Sequence, residues 1–507
     1  MKKIINLKKL SQKIKIFKRN KKRVVLCHGA FDLLHPGHID HLELAKKGND
    51  ILVVSLTTDS FIKKSINSPF YNQSERAKFL SNLQIVDFVC YSESSSSISV
   101  LNMLKPNVYC KGEEYKKNDH IGNISKEKQF CKNNNISFKL IGKEKFSSNK
   151  IFANKFFQNS DMRLVANIKK YITTKNINLD KIFNQIEKLK ILVIGETIFD
   201  KYTYVSSKGI SPKSNTLSCS IDTSKTMPGG ALATYKYLKQ FTKQVELLSA
   251  INSDLHKKNI KLIGKDNIKS LYTSVNFPQL VKERIVEIDK IQNIKKILTL
   301  NHFSEIKLEK KMEKQFDNFL NRNLKKFDIV IVQDFGHGLI SEKMAKIIQK
   351  KSRYLSLNVQ TNSLNYGFNI INRKFKKADL FTLDKKELEL YSEKKNINFD
   401  YYLKELTKKL NSKHSFLTCG DKFSLGYDNR KMLKIDTLGK DVIDTIGAGD
   451  IFHATSTLLS FIKKDLFLSL FISQISGALA VKITGNSDFP KIHQIRRTFD
   501  LYVDSIK

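Results

Sequence analysis

The sequence predicts an α/β protein built from two parallel-sheet domains in tandem. Three observations carry that reading. Short β-branched runs alternate with helix-compatible stretches between residues 22 and 155, the pattern of a parallel sheet crossed by helices. A second alternation begins at Lys190–Ile194 and fills the rest of the chain. In both regions a glycine follows a buried run, where a strand must turn sharply into a helix.

The elements follow in order. Residues 1–21 are a basic N-terminal extension, read as a frayed helix because little of it is apolar. In the first domain, 22–155, the strand candidates are Arg23–His28, Asp50–Leu56, Phe88–Tyr91 and Val108–Lys111. A helix should follow Pro36, which suits a first helical position, and another should cover Ser74–Leu83. Residues 156–188 contain no glycine or proline and read as a connecting helix. In the second domain, 189–507, Lys190–Ile194 is followed by strand candidates Asp328–Val332, Tyr354–Val359, Leu380–Leu383 and Ser415–Thr418. Residues 444–460 read as a glycine-rich turn and a helix.

Composition narrows the function classes. The 507 residues are 41% apolar, too many for a disordered chain. No apolar run approaches the roughly 20 residues needed to span a bilayer. The six cysteines are scattered without a CxxC pair, which argues against a disulfide framework or zinc site and for a cytoplasmic protein. The net charge is +40, but only 11 of the 89 basic residues are arginine. Readers of phosphate and bases lean on arginine's bidentate fork, so the lysines read as solvated surface, with no specific nucleic acid. They still favour anionic substrates.

The string from Cys27 to His38 joins the first strand to the first helix. Two histidines three apart would alone be ordinary surface residues. Here they open a helix, whose free N–H groups and positive dipole end favour phosphate. Imidazoles there can donate to phosphate oxygens as charge builds in a transition state. Gly37 removes a side chain where a nucleotide would approach, and Lys46 is expected on the same helical side, reaching a triphosphate.

Gly29 to His38 reads GAFDLLHPGH and resembles the GxFDxxHxGH hallmark of the cytidylyltransferase-like nucleotidyltransferases. Lys111-Gly112-Glu-Glu-Tyr115 and Phe146-Ser147-Ser148-Asn-Lys150 are similar to two further segments of that family. The resemblance implies a Rossmann-like domain that transfers a nucleotidyl group from ATP or CTP to a phosphate and releases pyrophosphate. It makes His35 and His38 catalytic, with Gly29, Phe31, Asp32, Gly37, Lys46, Arg76, Lys111, Gly112, Ser147 and Ser148 around the nucleotide. His-Pro-Gly-His also resembles the His-x-Gly-His of class I aminoacyl-tRNA synthetases. The stretch from His38 to Ser147 leaves little room for an amino-acid pocket, and Phe31-Asp32 suits the nucleotidyltransferases better.

The second string is Asp444-Thr445-Ile-Gly447-Ala448-Gly449-Asp450. A glycine turn that opens a helix can hold an anion on backbone N–H groups. A carboxylate beside that anion suits phosphoryl transfer, with Asp450 taking the proton from an attacking hydroxyl.

The string resembles the DTxGAGD motif of ribokinase-type carbohydrate kinases, the PfkB family. Gly195-Glu196-Thr-Ile-Phe-Asp200-Lys-Tyr, Ile210-Ser-Pro212, Pro228-Gly229-Gly230 and Asp334-Phe-Gly-His-Gly338 are similar to segments of its heptose-phosphate branch. The resemblance implies a ribokinase-like domain in which Glu196, Asp200, Gly229 and Gly230 meet the sugar. Asp384, Glu387, Gly420, Thr445, Gly447, Ala448 and Gly449 would serve the nucleotide and anion hole. Glu196 stands where an aspartate is usual, Ala233 for an asparagine, Asp384 for the asparagine of Asn-x-x-Glu, and Phe423 for a glycine. These departures imply a sugar other than the standard one.

Together the two domains resemble the bifunctional heptose-activating enzymes of bacterial envelope synthesis, with the domain order reversed. The resemblance implies ATP and Mg²⁺ that travels with the nucleotide rather than on fixed protein ligands, with CTP as the alternative for the transferase. The partners implied are nucleotides and a sugar phosphate, without a membrane span; a homo-oligomer is left open. The alternatives are the same two activities on a different sugar or polyol phosphate and, from another class, a tRNA- or nucleic-acid-binding protein with a His-x-Gly-His nucleotide site.

Overall fold

The computed structural model describes residues 3–62, 69, 71–113, 123–142, 170–172, 174–175, 177–264, 268, 270–288, 294–302, 305–361, 365–438 and 442–504. The chain divides into two compact units, Met1–Ile177 with Arg496–Lys507, and Asn178–Ile495.

The first unit is a five-stranded parallel sheet of β1 (Val24–Gly29), β2 (Ile51–Thr57), β3 (Phe88–Ser92), β4 (Val108–Gly112) and β5 (Ser137–Ile141). Its order is β3-β2-β1-β4-β5. The chain reverses direction across the sheet at the β1/β4 junction, and ligands of open α/β sheets bind beyond the carboxyl ends of strands at such a point. β1 is buried almost throughout, because helices cover both faces of such a sheet. The N-terminal segment forms the helix Leu7–Arg19, with Leu10 and Ile14 buried against the sheet. Two apolar residues one turn apart suffice to dock it, so it is not frayed.

In the second unit, β6 (Ile191–Gly195), β7 (Thr197–Ile210), β8 (Leu217–Gly229), β9 (Val245–Asn252), β10 (Leu271–Ser274), β11 (Val281–Ile288) and β12 (Ile294–Asn301) come first. β13 (Ile329–Asp334), β14 (Leu355–Val359), β15 (Leu380–Asp384), β16 (His414–Thr418), β17 (Phe423–Tyr427) and β18 (Met432–Asp436) follow. Nine strands form one sheet, β10-β9-β6-β13-β14-β15-β16-β17-β18, parallel except where β17 and β18 turn back. Phe316, Phe375 and Phe381 are fully buried in its main core. A second sheet, β12-β11-β7-β8, contains the long β7/β8 hairpin. The sequence did not announce this sheet. Its strands are rich in Ser, Thr and Lys and are only partly buried, so they lack the continuous apolar runs of the parallel strands.

Of the expected connecting helix, Leu179–Ile186 is helical and buries Leu179, Ile182, Phe183 and Ile186, one stripe at helical spacing. Residues 156–169 lie outside the described residues.

Candidate active sites

In the first domain the chain leaves β1 and enters the helix Pro36–Ala45 through the glycine–histidine string. Phe31 and Leu33 are held at φ 47° and 52°, a left-handed conformation that costs a non-glycine residue of order 1–3 kcal/mol and clusters at functional sites. The buried Phe31 ring packs 5.3 Å from that of His38. His35 stands at the N-cap, and its ring stacks on His38 with centroids 3.9 Å apart. The two imidazoles thus form one unit at the positive end of the helix dipole, with Gly37 in the first turn between them. Asp32 Oδ1 accepts from the Tyr71 amide at 3.1 Å, which fixes the loop.

Lys111 and Gly112 end β4, beside β1 at the reversal point. The Lys111 ammonium lies 3.9 Å from the buried carboxylate of Glu127, which also accepts from Tyr109 Oη at 2.8 Å and the Ser97 amide at 2.7 Å. Sequence reasoning had not singled out Glu127.

Two expectations are corrected. Lys46 is the C-cap of the helix, at the opposite end from the histidines, and its ammonium bonds Asp87 Oδ2 at 2.7 Å and the Ile85 carbonyl at 2.9 Å. The eight-residue spacing matched the face but also carried the lysine about 12 Å along the axis. Arg76 is fully buried and donates to the carbonyls of Ala30, Thr57 and Tyr71 and to Asp59. It ties the motif loop to β2 instead of presenting a guanidinium to nucleotide. Ser147 and Ser148, with Tyr115 and Lys150, lie outside the described residues.

In the second domain a cavity of about 340 Å³ gathers Asp200, Gly230, Asp384, Glu387, Thr445, Gly447, Gly449 and Asp450. Gly447 caps the helix Ala448–Lys463 at φ 81°, where a Cβ would stand 2.2 Å from Asn486 Oδ1, so only glycine fits. Gly230, at φ 57°, would drive a Cβ to 2.4 Å from the Glu196 carbonyl. Asp450 lies in the first turn of the helix, and its Oδ1 accepts from Gln360 Nε2 at 2.7 Å and Gln333 Nε2 at 3.2 Å. Burial pushes the Asp450 carboxyl up to about 7, opposed by the Gln360 hydrogen bond. That value suits a general base near neutral pH.

Asp384 and Glu387 form a capping box at the helix Lys385–Ser392, each carboxylate accepting the other's amide at 2.8 Å. Burial raises the Glu387 carboxyl well above its ordinary range, and Asp384 adds to the rise. Gly229, Gly420 and Ala448 do not line the cavity; Gly229 ends β8, Gly420 takes φ 60° after β16, and Ala448 opens the helix.

Glu196 is a third correction. It is fully buried, away from the cavity lining, and its two oxygens accept the Phe335 and His337 amides at 3.1 and 3.2 Å. Burial, then Asp334, push it up to about 7. It organises the 334–338 loop rather than a sugar. Asp200 does face the cavity, paired with Arg284.

The cavity also holds residues that sequence reasoning missed. Lys282 and Arg284 project into it from β11, two apart and therefore on one face of the strand. Their alternation with Glu283 was the available signal. Burial lowers the pKa of Lys282, opposed by the carboxylates of Asp200, Glu196 and Asp450, although none of the ion-pair contacts among the described residues includes it.

Residues 188–490 match the model of the pfkB family carbohydrate kinases. The chain belongs to that family. Residues 26–155 of this kinase chain match the cytidylyltransferase-like family. The chain is also similar to the bifunctional protein HldE of Helicobacter acinonychis (strain Sheeba), 38% identical over 122 residues, which are 24% of this chain and 26% of that protein. The HldE of Campylobacter fetus subsp. fetus (strain 82-40) is 41% identical over 99 residues, 19% of this chain and 22% of that one. The matched span is thus about a quarter of these curated relatives. Among solved structures, phosphofructokinase-2 from Escherichia coli in complex with substrates and products aligns at 13% identity, covering 63% of this chain and 100% of that one, TM-score 0.49. A Methanocaldococcus jannaschii nucleoside kinase aligns at 21% identity over 62% of this chain and 99% of that one, TM-score 0.44. No helix among the described residues of this kinase is long and apolar enough to cross a membrane.

Proposed function

We propose that the chain is a cytoplasmic, bifunctional sugar-activating enzyme. Its kinase domain phosphorylates a heptose-like sugar phosphate with ATP, and its first domain transfers a nucleotidyl group from ATP or CTP to a sugar phosphate for surface glycan synthesis. The observation that carries the kinase half is the pair Lys282 and Arg284, two cations on one face of β11 that line the cavity. Lys282 is half-buried and makes no ion-pair contact with the carboxylates around it, which suits an anionic group of the substrate at that end. At the other end the N-terminus of the helix Ala448–Lys463 and Gly447 suit the γ-phosphate. The sugar hydroxyl attacks the γ-phosphorus, its proton passes to Asp450, the bond to the β-phosphate oxygen breaks and ADP leaves. Mg²⁺ carried by the nucleotide would supply charge neutralisation at its phosphates, and Asp384 and Glu387, which line the same cavity, are the carboxylates that would face it.

The transferase half rests on the stacked pair His35 and His38 at a helix N-terminus. An acceptor phosphate oxygen attacks the α-phosphorus and pyrophosphate leaves. No base is required, because the acceptor is already an anion. The name HldE, carried by relatives of the first domain, supports the heptose reading. The test is a panel of sugar phosphates offered with ATP and with CTP, with ADP and pyrophosphate followed separately. A sugar-phosphate-dependent rise in both products on heptose phosphates supports the proposal. ADP formation only on unphosphorylated sugars would overturn it.

A further inference from the structure

Asp450 is held by two glutamines, one on β13 and one just past the end of β14, and the hydrogen bonds of the second are fixed by a relay of amides. Asn358, on β14, donates from Nδ2 to the Thr382 carbonyl on β15 at 3.0 Å, which leaves its Oδ1 as an acceptor. Gln360 Nε2 donates to that Oδ1 at 2.6 Å and to Asp450 Oδ1 at 2.7 Å. Both N–H bonds of the Gln360 amide are thereby assigned, and its nitrogen must face the carboxylate. The Gln360 backbone is pinned in turn, its amide donating to the Asp334 carbonyl at 2.8 Å. Gln333, fully buried on β13, sends its Nε2 to the same Asp450 oxygen at 3.2 Å. Asp450 Oδ2 accepts no hydrogen bond from the described residues, so the two oxygens of one carboxylate have different environments.

We infer that Gln333 and Gln360 are positioning residues for the Asp450 base, occupying Oδ1 and reserving Oδ2 for the substrate's hydroxyl proton. The inference rests on the kinase reading above. Burial works against the charged form, and so does Asp200 on β7; Glu387, on the helix Lys385–Ser392, is a further carboxylate close enough to interact with Asp450. Lys282 on β11 favours the charged form. Two neutral donors on one oxygen stabilise the carboxylate without a cation in hydrogen-bond contact with it, which would lower its basicity further than the more distant Lys282 does. A hydrogen bond to a charged group is stronger than one between neutral groups, so losing Gln360 should be visible as a rise in the pKa of Asp450.

The experiment compares wild type, Gln360→Met and Gln333→Met in the full chain. The titration of Asp450 is read by infrared or carbon NMR of labelled aspartate, assigned with Asp450→Asn, and kcat is followed against pH. Gln360→Met should raise the Asp450 titration by about one to two pH units. The acid limb of kcat should move up by the same amount, with activity recovering at high pH. Gln333→Met, at the longer distance, should give a smaller shift in the same direction and serves if Gln360→Met folds poorly. A titration and acid limb that stay at the wild-type position overturn the inference, as does a uniform fall in kcat at every pH with the titration unmoved. A shifted titration in a protein whose wild type turns over no sugar supports the hydrogen-bond arrangement and overturns the kinase reading instead.

Discussion

Lys296 Nζ lies 2.9 Å from Oδ1 of Asp444, so a strand of the four-stranded sheet grips the first residue of the glycine turn. The other oxygen of this buried carboxylate accepts from Tyr202 Oη at 2.5 Å and the Gly485 amide at 2.8 Å. Burial opposes the charge, but the bonds from Tyr202 and Lys296 hold the Asp444 carboxyl below its ordinary range. Lys296→Met should destabilise the kinase domain by about 1–2 kcal/mol, the worth of a partly exposed hydrogen bond to a charge. Because the native pKa is depressed, this stabilisation is complete above the unfolded carboxylate value of about 4 and is lost as pH falls through the lower native value. Denaturant midpoints measured across the acid range should fall with pH in wild type, and Asp444→Asn should flatten that slope.

Asp450→Asn keeps size and one hydrogen-bond acceptor but removes the base. kcat for sugar-dependent ADP formation should drop by roughly 10²–10⁴, with little change in the KM for sugar, because the loss belongs to the transition state. The raised carboxyl, at about 7, makes the wild-type rate climb as pH rises through that value and level off above it. Near-normal kcat in the variant would refute the base assignment.

His35→Ala or His38→Ala should abolish pyrophosphate release while ADP formation continues. The two rings stack at a helix N-terminus in the first unit, whereas Asp450 lies in the second. Steady-state assays of the two products separate these outcomes. Loss of ADP formation in both variants would show that the two activities depend on one another.

The parallel sheets were legible because their strands are continuous apolar runs, as in Val24–Cys27 and Ile329–Val332. The glycine turns were legible because few residues tolerate the backbone they need, as at Gly447. Side-chain roles were less so, since a motif gives a position and not a partner. Glu196 sits where a sugar ligand was expected, yet the Phe335 and His337 amides hold it, 139 and 141 residues away. Gln333, Gln360 and Lys296 converge on the second string from separate strands and loops, and nothing local in the sequence marks them.

Arg76→Met should lower stability rather than act on nucleotide affinity alone. The guanidinium is fully buried and satisfies three carbonyls, at Ala30, Thr57 and Tyr71, besides Asp59. Each buried acceptor left unsatisfied costs about 1–3 kcal/mol, so the first domain should lose about 3 kcal/mol or more. Chemical denaturation read by a probe in that domain measures the loss. A variant of wild-type stability with a raised nucleotide KM would instead restore Arg76 to the binding site.

Lys282→Met tests whether the cavity recognises a phosphate on the sugar. Methionine keeps most of the aliphatic stem over the Phe335 ring, whose centroid is 6.0 Å from Nζ, and removes only the charge. A hydrogen-bonded ion contact with a phosphate is worth about 1.5–3 kcal/mol, so the KM for the phosphorylated sugar should rise roughly ten- to hundredfold. kcat should change little, because the contact is made equally in the ground state and the transition state. The KM for the same sugar without its phosphate should stay near the wild-type value, which narrows the preference between the two. Arg284 cannot take over the role, since its guanidinium already pairs with Asp200. An equal rise in KM for both sugars would mean that Lys282 supports the shape of the cavity and not the charge of its substrate.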